Sequence, residues 1–290
     1  TAYRRQRQMC IRDSLKYGED NVLAVRVDSR ENLNIPPFGY AIDYMTFGGM
    51  YREVYVQVRN KTHLADVFVK PQIHPLQVTT EITVQNISDG ITLQQEIRKK
   101  GEGAYSPLGQ KPVKQTNVQT VFPVQEIRLW EPENPHLYEI RTSLWKNGEM
   151  IDARVDITGF REAGFRKDGF YLNGKKLRLR GLNRHQSYPY VGYAAPASMQ
   201  IFDADILKKE LGVNAVRTSH YPQSQDFIRR CDEIGLLVFT EFPGWQHIGD
   251  EEWKRQAVQN LKEMIVQYRN HPSIIPVSYT HLRAHETSLH

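Results

Sequence analysis

Between residues 177 and 240 short apolar runs alternate with helical periodicity, and no other feature narrows the possible folds as far. In LRLRGLN (177–183) the apolar residues alternate, as in a strand with one face on a core, and the run then breaks into Asn183, Arg184 and His185. A second run, NAVRT (214–218), breaks in the same way into Ser219, His220 and Tyr221. The spacing between them predicts a helix, with Ser198 as its cap, Phe202, Ile206 and Leu207 on one stripe, and Gly212 at its end. Strand, helix and strand of this length form a right-handed crossover between parallel strands. The unit recurs: Phe227, Cys231 and Ile234 follow Ser224 at helical spacing, Gly235 closes the helix, and LLVF (236–239) runs into Thr240 and Glu241. Ala215 and Val238, 23 residues apart, are the expected equivalents in the repeat. A third helix carries Trp253, Ala257, Leu261, Met264 and Tyr268 on one stripe, and PSII (272–275) opens a fourth strand. Parallel strands that each end in polar residues gather a site at one rim of a (β/α)8 barrel. The other architecture, an open doubly wound sheet, calls for a glycine-rich phosphate loop after the first strand, and none is present.

Upstream the period changes from helical to twofold. Leu23, Val25 and Val27 alternate, as do Val54, Val56 and Val58, so residues 15 to about 60 read as strands around a long loop. Residues 63–158 carry short strands at 81–84, 91–97, 119–124, 137–144 and 150–155, with turn signals at Asp89-Gly90 and Asn147-Gly148, which suits an immunoglobulin-like β-sandwich without a disulfide. Lys99, Lys100, Lys111 and Lys114 surround a glycine-rich loop that reads as solvated. Asn173-Gly174 marks a two-residue hairpin turn ahead of the barrel.

Composition removes several functions. The net charge is +5, but the first fourteen residues hold four arginines against one aspartate and the last fourteen one arginine against one glutamate. Three of the five charges thus lie in the tails, and the basic balance points neither to nucleic acid nor to a membrane. Both tails, 1–14 and 277–290, look like translated sequencing-adapter ends and are set aside as non-native. No apolar run is long enough to span a bilayer. Of the two cysteines, Cys10 falls in a tail and Cys231 on a helix core stripe, so no disulfide is expected.

The words RGLNRHQSYP, NAVRTSHYP, CDEIGLLVFTE and NHPSII, in this order, resemble glycoside hydrolase family 2, which contains β-galactosidases, β-glucuronidases and β-mannosidases. The resemblance covers roughly residues 15–275. It implies a multidomain β plus α/β chain: 15–62 the closing part of a jelly-roll β-sandwich, 63–158 the immunoglobulin-like β-sandwich, and 159–276 the first part of a truncated (β/α)8 TIM barrel. LWEPENPHLYEI resembles the family's second domain, with Trp130 and Tyr138 as core aromatics. With only three strands and the start of a fourth, the barrel sheet is expected to keep an open edge and to leave Leu236, Val238 and Ile275 short of cover.

The resemblance also implies the site. Asn-Arg-His at 183–185 resembles the β-galactosidases, whereas glucuronidases carry a lysine before that histidine. His185 and His220 match histidines that contact sugar hydroxyls, Arg217 an arginine that orients the nucleophile, and Glu241 a supporting glutamate at the third strand. Asp43, in YAIDYMTFGGMYREVYV, matches an aspartate that reaches into the barrel. By residue type alone, His185 and His220 are also readable as a metal pair, but the intervening strand, helix and motif words favour sugar contact. Trp245 reads either as a sugar-stacking ring or as a rim core aromatic. It stands where magnesium-binding relatives have a glutamate, with His247 at the other ligand position, so no metal or cofactor is assigned, although the resemblance is compatible with magnesium or sodium in a longer parent. The family's catalytic glutamates, one in an Asn-Glu pair after the fourth strand and one at the seventh, have no counterpart here.

The expected activity is therefore that of a fragment of a retaining hydrolase acting on terminal β-galactosides, with a homo-oligomeric parent allowed. The alternatives are a β-glucuronidase, a β-mannosidase, or a non-catalytic carbohydrate-binding protein. The compartment stays open between bacterial cytoplasm and periplasm.

Overall fold

The computed structural model describes residues 16, 18–39, 42–244 and 247–278. Both sequence tails, apart from the backbone of Val277 and Ser278, lie outside them.

Two antiparallel sheets form the sandwich. One contains β1 (His63–Ile73), β2 (Leu76–Gln85) and β5 (Asn117–Pro123) in the order β1-β2-β5. The other orders β4 (Ser106–Pro112), β3 (Ile91–Lys99), β6 (Tyr138–Lys146) and β7 (Glu149–Thr158) as β4-β3-β6-β7. Twofold alternation, with a register shift between Leu64 and Asp66 in β1, puts Leu64, Val67, Val78, Ile82, Leu93, Ile140 and Leu144 between the sheets. Gln95 is buried among them, and its amide is satisfied from both sheets: it donates to Thr80 and Thr142 at 3.1 Å each and accepts from Thr120 at 2.6 Å. Asn147 and Gly148, both at positive φ, close the β6–β7 hairpin where Lys146 pairs with Glu149. The strands β1 and β4 are additions to the sequence reading; β4, SPLGQKP, carries two prolines and a glycine that an edge strand tolerates.

Next, β8 (Ala163–Arg166), β9 (Gly169–Leu172) and β10 (Lys175–Lys176) make a small antiparallel sheet, with Asn173-Gly174 as the expected turn. The barrel portion follows as four parallel strands in order: β11 (Gly181–Arg184), β12 (Ala215–Thr218), β13 (Leu237–Glu241) and β14 (Ile274–Ser278). Ala215 pairs with Leu237 and Val216 with Val238, so the true repeat is one residue shorter than expected. The difference matters because a one-residue slip reverses faces. Ala215, Leu237 and Ile275 look inward onto Phe170, Leu172 and Trp130, whereas Val216, Val238 and Ile274 look outward onto the helices.

Those helices are α1 (Ala197–Asp205), α2 (Gln225–Ile234) and α3 (Glu251–Tyr268). Ser224 caps α2 through Asp226 N–H, Asp250 caps α3 through Trp253 N–H, and both core stripes lie where the periodicity put them. The α1 reading needs correction. Pro196, not Ser198, precedes the helix, a π-helical turn at Ile206–Glu210 changes its phase, and Gln200, Ala204 and Leu207 are buried while Phe202 is 60% exposed. The expected loss of cover is also corrected: Leu236 and Val238 are sealed by helices and Ile275 by the small sheet. Exposure falls instead on edge strand β11, whose outward Leu182 is 47% exposed; of the expected 177–183 strand only 181–183 pairs in the sheet, extended by Arg184.

Trp130, with no exposed surface, joins the sandwich to the barrel: its indole N–H donates to the Asp232 carbonyl at 2.8 Å. Beside it Gly235 ends α2 in the left-handed region, and a Cβ there would lie 2.1 Å from the Pro132 carbonyl, so the helix cap and the domain contact both require glycine. On the other side Asn270 accepts from Val69 N–H at 3.1 Å and donates to the Val67 carbonyl at 3.2 Å.

The strands expected in the jelly-roll part are not formed among the described residues. Leu23, Val25 and Val27, like Val54, Val56 and Val58, stay exposed, Val58 by 94%, because no neighbouring strand pairs with them. Part of the segment nevertheless docks on the barrel: the Trp253 indole donates to the Phe38 carbonyl at 3.1 Å. No helix among the described residues is long and apolar enough to cross a membrane.

Candidate functional site

The C-terminal ends of β11, β12 and β13 bring four of the expected residues together. Glu241 closes β13, is 3% exposed, and uses both oxygens: Arg217, inward-facing on β12, donates Nε–H to one, and His220 Nδ1 lies 3.0 Å from the other. Arg217 also approaches His220 Nδ1 at 3.2 Å. Burial pushes the Glu241 carboxyl up, but the hydrogen bonds and charges of His220 and Arg217 outweigh it and hold the group below the ordinary glutamate value. Glu241 is therefore an ionised anchor. In the tautomer that donates Nδ1–H to this carboxylate, His220 keeps Nε2 as an acceptor.

His185 follows β11 and stands 5.5 Å from His220, centroid to centroid, with its Nδ1 3.3 Å from the Tyr221 hydroxyl. Burial and then the neighbouring His220 hold it below the usual histidine value, while Asp43 and Glu241 pull the other way. Asp43, exposed on its loop, is thus electrostatically part of the same cluster. Trp245 lies outside the described residues.

Arg184 is not in the cleft. It points to the opposite face of the sheet, where it donates to Asp203, Gln200 and Gln223 and stacks on the Phe227 ring at 4.0 Å. The middle residue of the Asn-Arg-His word therefore supports the strand from beneath. The CDEIG and NHPS words are also structural: Asp232 accepts from Ser273 and His271, next to the Trp130 contact.

Several pocket residues were missed from sequence. Tyr44, beside Asp43, packs on His185, His220 and Tyr221, and Tyr193 packs on Tyr221 and Tyr51. Arg52 fastens the 42–52 segment by donating to the Tyr193 carbonyl at 2.6 Å and to Gln186 at 3.0 Å. A Cβ at Gly192, φ +53, would meet the Phe47 ring at 2.9 Å, so the two loops close on each other only with glycine there. The aromatic density of YPYVGY (188–193) was the available signal. Among the described residues no three His, Cys, Asp or Glu side chains gather as a metal-binding group. His247 packs edge-on to Trp253, 5.8 Å between centroids.

A parallel partial barrel with a polar cluster at its C-terminal rim, preceded by a β-sandwich, defines the molecule's class. Family models described as "Glycosyl hydrolases family 2" and "Glycosyl hydrolases family 2, TIM barrel domain" match residues 62–161 and 164–281, and the chain belongs to this family. It is 48% identical to a β-galactosidase of Thermoanaerobacter pseudethanolicus over 91% of its own length and 36% of that protein's. A putative β-glucuronidase of Formosa agariphila is 32% identical over 91% of the chain and 32% of its own length. Among solved structures, a glycosyl hydrolase family 2 member from Bacteroides cellulosilyticus superposes with a TM-score of 0.77 at 26% identity, covering 91% of this chain and 37% of that one. The chain thus spans about a third of the length of these relatives.

Proposed function

We propose that this chain carries the sugar-holding part of a retaining glycoside hydrolase that acts on terminal β-galactosides. The observation that carries the reading is the convergence of His185, His220 and Arg217, anchored on Glu241 and flanked by Asp43, at the C-terminal rim of the parallel strands. Polar groups at this rim are where such barrels hold substrate. In this reading His185, His220 and Asp43 receive sugar hydroxyls, and Glu241 positions Arg217 and His220 without touching the sugar. Trp245 is assigned a stacking role. Galactose is preferred over glucuronic acid because identity is 48% to the β-galactosidase against 32% to the glucuronidase.

Retention requires two carboxyl groups ~5–5.5 Å apart, one as acid and base and the other as nucleophile. Glu241 is ionised and engaged through both oxygens, so it fills neither role. The test is ligand-observed NMR of the chain with galactose and with glucuronic acid, alongside a His185→Ala, Asp43→Ala variant. Galactose binding that the variant abolishes is the expected result. Preferential binding of glucuronic acid, or galactose binding indifferent to the variant, overturns the assignment.

A further inference from the structure

We propose that Tyr44 is a positioning residue of this pocket: its ring, carried in by the 42–52 segment, fixes the plane of His185 and walls the side of the cluster next to Asp43. The Tyr44 centroid lies 5.7 Å from His185, 5.8 Å from His220 and 5.4 Å from Tyr221, with interplanar angles of 41° to 43°. These rings come from three separate stretches, one after β11, one after β12 and one 141 residues before His185, so no local rule of chain geometry sets their arrangement.

The two histidines are held differently. His220 is anchored through Nδ1 at 3.0 Å from a buried carboxylate. His185 has a contact of 3.3 Å to the Tyr221 hydroxyl, beyond the usual N···O range, and an imidazole's second torsion is broad. Hydrogen bonding therefore leaves the His185 plane loosely set, and the rings of Tyr44 and Tyr221 supply the rest. Tyr44 is itself held from outside. Arg52 ties its segment to the Tyr193 carbonyl and Gln186, the Tyr193 hydroxyl donates to the Met45 carbonyl at 2.7 Å, and Phe47 packs edge-on to Tyr193 at 4.9 Å. Burial, with the nearby Tyr221, Asp43 and Glu241, raises the Tyr44 phenol well above its ordinary value, so it stays neutral and acts as a ring.

The consequence for sugar binding rests on the glycone-site reading above; the ring arrangement does not. The experiment uses the whole 290-residue chain with Tyr44→Phe and Tyr44→Leu, read by imidazole ¹H–¹⁵N spectra through a pH titration and by galactose titration. The charged groups facing His185, namely His220, Asp43, Arg217 and Glu241, are the same in every variant. The phenylalanine variant is expected to keep the His185 titration and galactose affinity. The leucine variant should move His185 up toward the ordinary 6.5 and weaken galactose roughly two- to tenfold, the span of an aromatic pair. An unmoved His185 in the leucine variant overturns the proposal, as does a phenylalanine variant as impaired as leucine. If galactose fails to bind the unaltered chain, the glycone reading falls and the His185 titration still decides the role of Tyr44.

Discussion

Asp232 accepts through a single carboxylate oxygen both the backbone N–H and the hydroxyl of Ser273, at 2.9 and 2.6 Å. Its second oxygen meets His271 Nδ1, and its carbonyl takes the Trp130 indole. One buried residue near the end of α2 thus joins the sandwich, the second helix and the approach to β14. Asp232→Asn would turn one acceptor into a donor facing donors. About 1–3 kcal/mol of stability is expected to be lost for the group left unsatisfied. Urea unfolding measures it, and an unchanged midpoint would remove Asp232 from this role.

Glu241 gives a pH dependence of defined sign. Its folded-state value lies below the ordinary 4.5, so the unfolded chain binds that proton more tightly. The stability it contributes is present above about pH 4.5 and is lost as the pH falls through the folded value. Glu241→Gln should therefore cost about 1.5–3 kcal/mol near neutrality, the worth of hydrogen bonds to a charged group, and progressively less in acid. Unfolding curves of both proteins at several pH values test this. A difference that stays constant or grows on acidification contradicts it.

Arg184→Lys keeps the charge but not the fork that reaches Asp203, Gln200 and Gln223 together, nor the planar stack on Phe227. A loss of about 1–3 kcal/mol is expected, with His185 displaced because its strand support loosens. Thermal unfolding gives the first quantity and the His185 imidazole spectrum the second. A lysine variant of full stability would show that the network is redundant.

Nitrophenyl β-galactoside turnover by this 290-residue chain is expected to remain at the buffer level. Turnover that disappears on Glu241→Gln would overturn the anchoring role and make that carboxylate catalytic.

How far the sequence reached can be seen residue by residue. Helical periodicity located the buried stripes of α2 and α3, and Asn147-Gly148 and Asn173-Gly174 announced their turns, because these features depend on neighbours within one or two turns of chain. The ends of β11, β12 and β13 were legible too, since an apolar run breaking into polar residues marks a strand's functional end. The limits appear where distant residues meet. Phe202 has helical spacing but is exposed, because the π-helical turn after it and the Arg184–Asp203 contact set which face of α1 is buried. Val54, Val56 and Val58 alternate like a strand yet remain unpaired, because a ladder needs a partner that twofold alternation cannot supply. The sequence by itself determined the family, the parallel units and the histidines, arginine and glutamate at their rim. Tertiary structure alone decided that Arg184 supports the sheet from below, that Glu241 is spent on Arg217 and His220, and that Tyr44 comes from far upstream to stand beside them. These are contacts between residues 16 to 177 positions apart, set by packing and burial rather than by any local period.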